Sequence, residues 1–527
     1  MSTGAQVIVS ELERAGVDVC FGLPGVHNLA LWEALRSSSI RLVGVRHEQA
    51  AAYAADGYAR ATGRFGVALT TTGPGAANTL GAVGEAWASR SPILVIATDI
   101  PSSLRRRGEY RGILHETDGQ SAMFAPVVKA VHLGLTPELV TFSAREAIRD
   151  VQAAPSRPVY LEIATDLLSA EIPEPESSRP PRFEPTPDLG TASALLDRAE
   201  RPLIWAGGGA RDAGPQVQAL AERLGAPVLT TYGAAGILPP GHPNLVGLPP
   251  HVEAAGRLWD EADTVLAIGS DLDGVQTQNF AQPQPETLIA IGLERPTNYR
   301  VDAFVEADAS IVAELGVRAR ELTFDRGAVR AQACAGLDAT ALRFLDAIRF
   351  AVPDTASLVV DMCIPGYWLA GFHTPSAPRR LQVPLGWGTL GYAFPAGLGA
   401  ALSGPTVSIS GDGGFLFACG ELATMAQERI PLTAVIVDDG GYGMLRYDQV
   451  LAGSETFGVD LYTPDFEAMA KAFGVEAETV EGLDDAFGEA LARHVALDGP
   501  SVLIAKTPTP LVPPPNTSPN WYRRKAH

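Results

Sequence analysis

Two corners of acid and glycine stand out by residue type and spacing. Asp412 is followed by Gly413 and Gly414, and 27 positions after Asp412 comes Asp439, which follows Asp438 and precedes Gly440 and Gly441. Each corner closes an apolar run, TVSIS before Gly411 and LTAVIV before Asp438. In open parallel sheets, ligands bind where strands end and helices begin. Glycines there let backbone amides approach an anion, and aspartate oxygens with a turn carbonyl are hard ligands suited to Mg2+. A metal bridging two phosphates is the chemistry such corners support. One corner alone would be an ordinary turn signal. Two of them, each ending an apolar strand, carry the site reading.

Such corners need a sheet to hold them. Short apolar runs alternate with helical patterns in three blocks: VDVCFGLPG, RLVGVRHE, GVALTTTGPG, PILVIATD and PVYLEIATD; then RPLIWAGGG, APVLTTYG, DTVLAIGSD and TLIAIGLE; then ASLVVDMC, TVSISGDGG, LTAVIVDDGG and PSVLIAKT. That alternation predicts βαβ units on parallel sheets. The expected fold is α/β, with three doubly wound parallel-sheet domains over residues 1–170, 190–325 and 340–527. Glu171 to Gly190 reads as a linker, because prolines at 173, 175, 180, 181, 185 and 187 cannot sit inside a packed sheet. A second boundary is expected near FDRGAVRAQACAG, and the proline-rich tail from Thr507 is expected on the surface. The two outer domains are candidates for structural copies of each other, though no internal repeat is strong enough to show it.

Bulk properties narrow the function. A chain of 527 residues exceeds one core. A net charge of −20 disfavours nucleic acid or an anionic membrane as partner. No segment reaches the ~18 continuous apolar residues of a membrane span. Cys20, Cys334, Cys363 and Cys419 lack CxxC spacing and read as reduced thiols. The start, MSTGAQVIVSELERAG, goes directly into an amphipathic helix without a basic leader. The expectation is a cytoplasmic protein acting on small molecules.

The stretch Gly411–Gly443 resembles the diphosphate-binding motif of thiamine diphosphate enzymes, in which GDG is followed, at the end of the next strand, by an Asn pair. The resemblance implies two cofactors, thiamine diphosphate and Mg2+. It makes Asp412, Asp439 and the Gly441 carbonyl the metal ligands, with Gly413, Gly414, Tyr442, Gly443 and Met444 around the cofactor. Asp438 and Asp439 depart from the Asn pair. An extra carboxylate beside a diphosphate adds repulsion, partly offset by a stronger bond to the cation.

Two further stretches match the same family in its order. RHEQAAAYAADGYAR with TTTGPGAANTL resembles the pyrimidine-binding domain, which implies that Glu48 engages the aminopyrimidine and drives proton loss from the thiazolium. A glutamate in a first helical turn can also merely complement the helix dipole. GWGTLGYAFPAGLGAAL resembles the segment that bends the cofactor, which implies Leu390 as the wedge and the Gly388 carbonyl as the partner of the 4′-amino group. The three domains would then be pyrimidine-binding, central and diphosphate-binding. The overall resemblance is to the acetolactate synthase, benzoylformate decarboxylase and benzaldehyde lyase branch, which implies a homodimer or homotetramer with active sites between subunits.

Substrate-side residues follow from the same likeness. His27, in GVHN, matches the histidine that faces the thiazolium in benzaldehyde lyase-like members. His115 sits in HETDGQ beside Glu116 and ahead of Gln120. Either histidine would suit proton relay; either can also be an ordinary core or surface residue. Val26 and Leu445 replace acids of the family's decarboxylases, which favours ligase or synthase chemistry on a 2-oxo acid or acyloin. The alternatives are a 2-oxo acid decarboxylase of the benzoylformate type and a non-catalytic homologue that binds the cofactor. Arg446 is read as a surface pair rather than as a substrate anchor. WAGGGARDAG has Asp212 where a dinucleotide turn needs its third glycine, so no flavin is expected there; an oxidoreductase built on that domain would show nicotinamide or flavin absorbance.

Overall fold

Three parallel sheets follow one another along the chain. The computed structural model describes residues 2–106, 108–173, 187–322, 324–384, 386–507 and 510–523. Across the first sheet lie the strands Arg41–Gly44, Val19–Gly22, Gly66–Thr70, Ile93–Asp99, Val159–Ala164 and Ala130–Gly134. Across the third lie Leu381–Gln382, Ser357–Val360, Thr406–Gly411, Leu432–Asp438, Ser501–Lys506 and Glu476–Glu481. In chain order both read 2-1-3-4-6-5. The outer domains therefore share a topology that no sequence repeat betrays. The middle sheet reads 2-1-3-4-5, over Val228–Thr230, Pro202–Ala206, Thr264–Ile268, Thr287–Gly292 and Ala303–Glu306.

The central strands are buried along their whole length because helices cover both faces of a parallel sheet. Every residue of Leu432–Asp438 and of Ile93–Asp99 is buried. The outer domains share one apolar core. The alanine-rich helix Glu48–Thr62 crosses Ala393–Ala400 at backbone contact: a Cβ on Gly57 would lie 2.0 Å from the Ala396 carbonyl oxygen. The Tyr53 and Tyr392 rings meet edge to face at 5.5 Å beside that crossing. Only small residues permit this approach, which fixes the two domains relative to one another.

Two readings change in the structure, at the start of the linker and in the tail. Glu171–Ile172 is not linker but a short strand paired antiparallel with Ser2–Thr3, just before the first proline of that segment. Ser2–Thr3 also starts the first helix, Gly4–Arg14, where the Thr3 and Gln6 side chains form a capping box. The linker itself falls largely on residues 174–186, outside the described residues. The stretch FDRGAVRAQACAG carries the helix Arg326–Cys334, whose Arg330 donates to the carbonyls of Val246 and Gly247. The tail does not simply run over the surface. Asn516 is 4 % exposed and donates to the Tyr367 carbonyl and the Tyr232 hydroxyl, tying the central domain to the third. Among the described residues all four cysteines are free, and no helix is long and apolar enough to cross a membrane.

Candidate active site

In the third sheet the strand order reverses between Ser357–Val360 and Thr406–Gly411, and both acid corners sit beside that switch point. A cavity of ≈ 260 Å³ opens there. Gly388, Leu390, Gly413, Gly414, Asp439, Gly441, Tyr442, Gly443 and Met444 line it, together with Asp361, Cys363 and Leu445. Asp412 lies beneath, fully buried. Neither of its carboxylate oxygens has a hydrogen-bond partner.

A buried carboxylate without partners demands a proton or a cation. Burial first, then the adjacent Asp439, pushes Asp412 up to about 7, against weaker relief from the nearby amides of Gly413 and Gly441, which approach the carboxylate without completing a hydrogen bond. Asp439 is also raised, chiefly by burial, and Arg446 opposes that shift. The buried Asp412 and the half-buried Asp439, beside glycine amides, thus form an oxygen donor set suited to a cation. Among the described residues no three His, Cys, Asp or Glu side chains converge as a metal centre. A cation here must complete its shell with backbone carbonyl, water and ligand oxygens, which is how Mg2+ is held beside phosphates.

Backbone geometry keeps this room open. Asp439 Oδ2 lies 2.2 Å from where a Cβ on Gly443 would stand. Gly443→Ala is therefore expected to displace the Asp439 carboxylate and weaken metal-dependent cofactor binding by about 10–100-fold, the range for disturbing what orients a ligand. Titration calorimetry of the metal-stripped variant checks it. Arg446 is occupied: its guanidinium donates to Asp460 Oδ1 at 2.9 Å and to the carbonyls of Asp439 and Gly440 at 3.3 and 3.1 Å. It braces the second corner and pairs with a surface acid, as read, leaving no free fork for a substrate.

A second group of candidates gathers in the first domain, where the strand order reverses between Val19–Gly22 and Gly66–Thr70. Glu48 opens the helix Glu48–Thr62, is 7 % exposed, and accepts from Asn78 Nδ2 at 2.9 Å. The His27 and His115 rings stand edge to face at 5.3 Å, and the Nδ1 atom of each is buried without a partner. Burial, then the neighbouring His115, lowers the His27 imidazole from its ordinary value and so favours its neutral form. Gln120 is buried in the same domain: its Oε1 accepts from the Gly73 amide at 2.5 Å, and its Nε2 reaches the Tyr160 hydroxyl at 2.8 Å.

The two groups do not merge within one chain, since no residue of the first domain lines the cavity. Asp361 and Asn78 were missed in the sequence. Asp361 ends an apolar strand as Asp412 and Asp438 do, and that shared position was the available signal. Val26 and Leu445 are 61 % and 51 % exposed.

Fold and site together define an α/β protein whose sheet switch point presents carboxylates and glycine amides suited to a metal-bound diphosphate. Comparison with known proteins agrees. Residues 2–123, 189–322 and 363–505 match the N-terminal TPP binding, central and C-terminal TPP binding domains of thiamine pyrophosphate enzymes. The chain belongs to this family, and thiamine diphosphate is its cofactor. It is 36% identical, over 92% of its length and 90% of the relative's, to a probable 2-ketoarginine decarboxylase of Pseudomonas aeruginosa. It is 30% identical to a probable acetolactate synthase large subunit of Methanocaldococcus jannaschii, covering 97% of this chain and 93% of the other. With acetolactate synthase isozyme 1 large subunit of Escherichia coli it shares 27% over 97% and 96%. The activity is accordingly that of a thiamine diphosphate-dependent carboligase or 2-oxo acid decarboxylase.

Proposed function

We propose that this enzyme uses Mg2+ with thiamine diphosphate to cleave a 2-oxo acid beside its carbonyl and to join the remaining fragment to a second carbonyl compound, in the manner of acetolactate synthase. The observation that carries the metal and cofactor reading is Asp412, fully buried, unpartnered and beside Asp439. Asp412, Asp439 and the Gly441 carbonyl would hold the cation, and Leu390 with the Gly388 carbonyl would seat the pyrimidine end. Bound there, thiamine diphosphate supplies a carbon nucleophile and an electron sink.

The chain's own residues do the rest. Glu48, with Oε2 held by Asn78, keeps Oε1 available to hold or release a proton. His27 and His115 can pass a proton at their unpartnered Nδ1 atoms. Because the cavity takes no residue from its own first domain, the first domain of a second copy would complete it. That supports a homodimer or homotetramer with shared sites. Exposed Val26 and Leu445 place apolar surface, rather than a carboxylic acid, where the substrate enters, which leaves an acceptor carbonyl to compete for the fragment.

A second reading, decarboxylation followed by protonation, draws support from the likeness to the protein named 2-ketoarginine decarboxylase. The test is product analysis by NMR with pyruvate, 2-ketoarginine and other 2-oxo acids, with and without an aldehyde acceptor. Joined products with an acceptor uphold the carboligase. Aldehyde and CO2 alone on every pairing uphold the decarboxylase, and no turnover on any of them removes both.

A further inference from the structure

Beside the crossing of the outer domains lies a buried charged cluster that the proposed chemistry does not use. Asp56 and Glu85 are both fully buried, and Arg60 lies between them, with Nη2 at 2.8 Å from Asp56 and 3.4 Å from Glu85. All three belong to the first domain. Glu85 has a second face. Its Oε2 accepts from the Trp387 amide at 3.1 Å and lies 3.5 Å from the Thr389 hydroxyl, both in the third domain. Arg60 adds a bond from Nη1 to the Val383 carbonyl at 3.1 Å and stacks over the Tyr392 ring at 5.0 Å.

The segment so held carries Gly388 and Leu390, both on the cavity wall. Its far side is held by Asp361, which is 2 % exposed and accepts from the amides of Gly391 at 3.1 Å and Met362 at 2.9 Å. Trp387–Gly391 is thus gripped by two buried carboxylates, one from its own domain and one from the other. A turn with positive φ at Gly388 and Gly391 has no regular ladder to hold it, so these side chains supply the rigidity.

We infer that Glu85 is a positioning residue: it fixes, across the domain boundary, the turn that seats the pyrimidine end of the cofactor, while the metal and diphosphate end stands without it. The role rests on the cofactor reading above. It also explains why a fully buried glutamate, expensive in an apolar core, is kept at a contact between domains.

Titration calorimetry on the metal-stripped, full-length protein separates the two ends of the site. Inorganic pyrophosphate with Mg2+ probes the diphosphate end alone, and thiamine diphosphate with Mg2+ probes both. Glu85→Ala is expected to weaken thiamine diphosphate by about tenfold or more, the effect of losing a hydrogen bond to a charged acceptor, and to leave pyrophosphate within about twofold. Glu85→Gln keeps an acceptor oxygen for the Trp387 amide and is expected to restore most of the affinity. A Glu85→Ala protein that loses both ligands equally, as an unfolded domain would, overturns the role. So does one that binds like the unaltered protein, or a Gln variant no better than Ala. Failure of the cofactor reading looks different: the unaltered protein would take pyrophosphate with Mg2+ and show no further gain from thiamine diphosphate.

Discussion

Glu48→Gln is expected to lower kcat by about 10²–10⁴-fold, the range for removing a positioned acid–base group, with little change in the affinity for thiamine diphosphate and Mg2+. Glutamine keeps the length and the acceptor oxygen for Asn78 Nδ2 but cannot carry the proton. The site tolerates the change sterically, because Glu48 starts its helix and borders the glycine-bearing segment Gly73–Asn78. Steady-state rates at saturating cofactor, with calorimetry alongside, read both quantities. A fall of only about twofold to threefold would reduce Glu48 to a charge that complements its helix dipole, a surface-scale effect.

Asp412→Asn is expected to abolish Mg2+-dependent cofactor binding, a larger loss than the about 10–100-fold that follows from disturbing an outer-shell partner. It is also expected to change the stability of the metal-free protein in the opposite sense. Asp412 is raised from 3.8 to about 7, so between those values the folded protein holds a proton that the unfolded chain has released. Stability of the metal-free protein therefore falls as pH rises from about 4 to about 7. An asparagine at this position would never ionise, so the variant's melting temperature should exceed that of the unaltered metal-free protein at pH 8 and approach it at pH 4. Adding Mg2+ with thiamine diphosphate should raise the unaltered protein's melting temperature and leave the variant's unchanged. Melting curves at both pH values, with and without ligands, check all four corners. A variant destabilised at pH 8 would mean that the Asp412 carboxylate is satisfied by something other than a cation.

The sequence by itself determined the α/β class and the two acid corners. Strand ends are legible locally: an apolar run such as LTAVIV followed by acid and glycine marks both the strand and the place where its backbone opens to a ligand. Asp439 and Gly443 were found for the same reason, since each lies within a few residues of such an end, whereas Gly388 and Leu390 came from the resemblance of GWGTLG to the segment that bends the cofactor. The tertiary structure decided what depends on pairing between distant segments. The shared 2-1-3-4-6-5 order of the outer sheets is set by which strands neighbour one another, and dissimilar sequences satisfy it equally. Glu171–Ile172 became a strand because Ser2–Thr3 lies opposite it, about 170 residues away in the chain. Glu85 looks like any helical glutamate until Trp387 and Thr389, more than 300 residues further on, are packed against it. The place of Glu48 depends on tertiary structure as well. Its residue type and helix start were evident, but that it does not line the cavity of its own chain is visible only in the folded structure, where the helix Glu48–Thr62 meets Ala393–Ala400 through small side chains that leave no periodic signature.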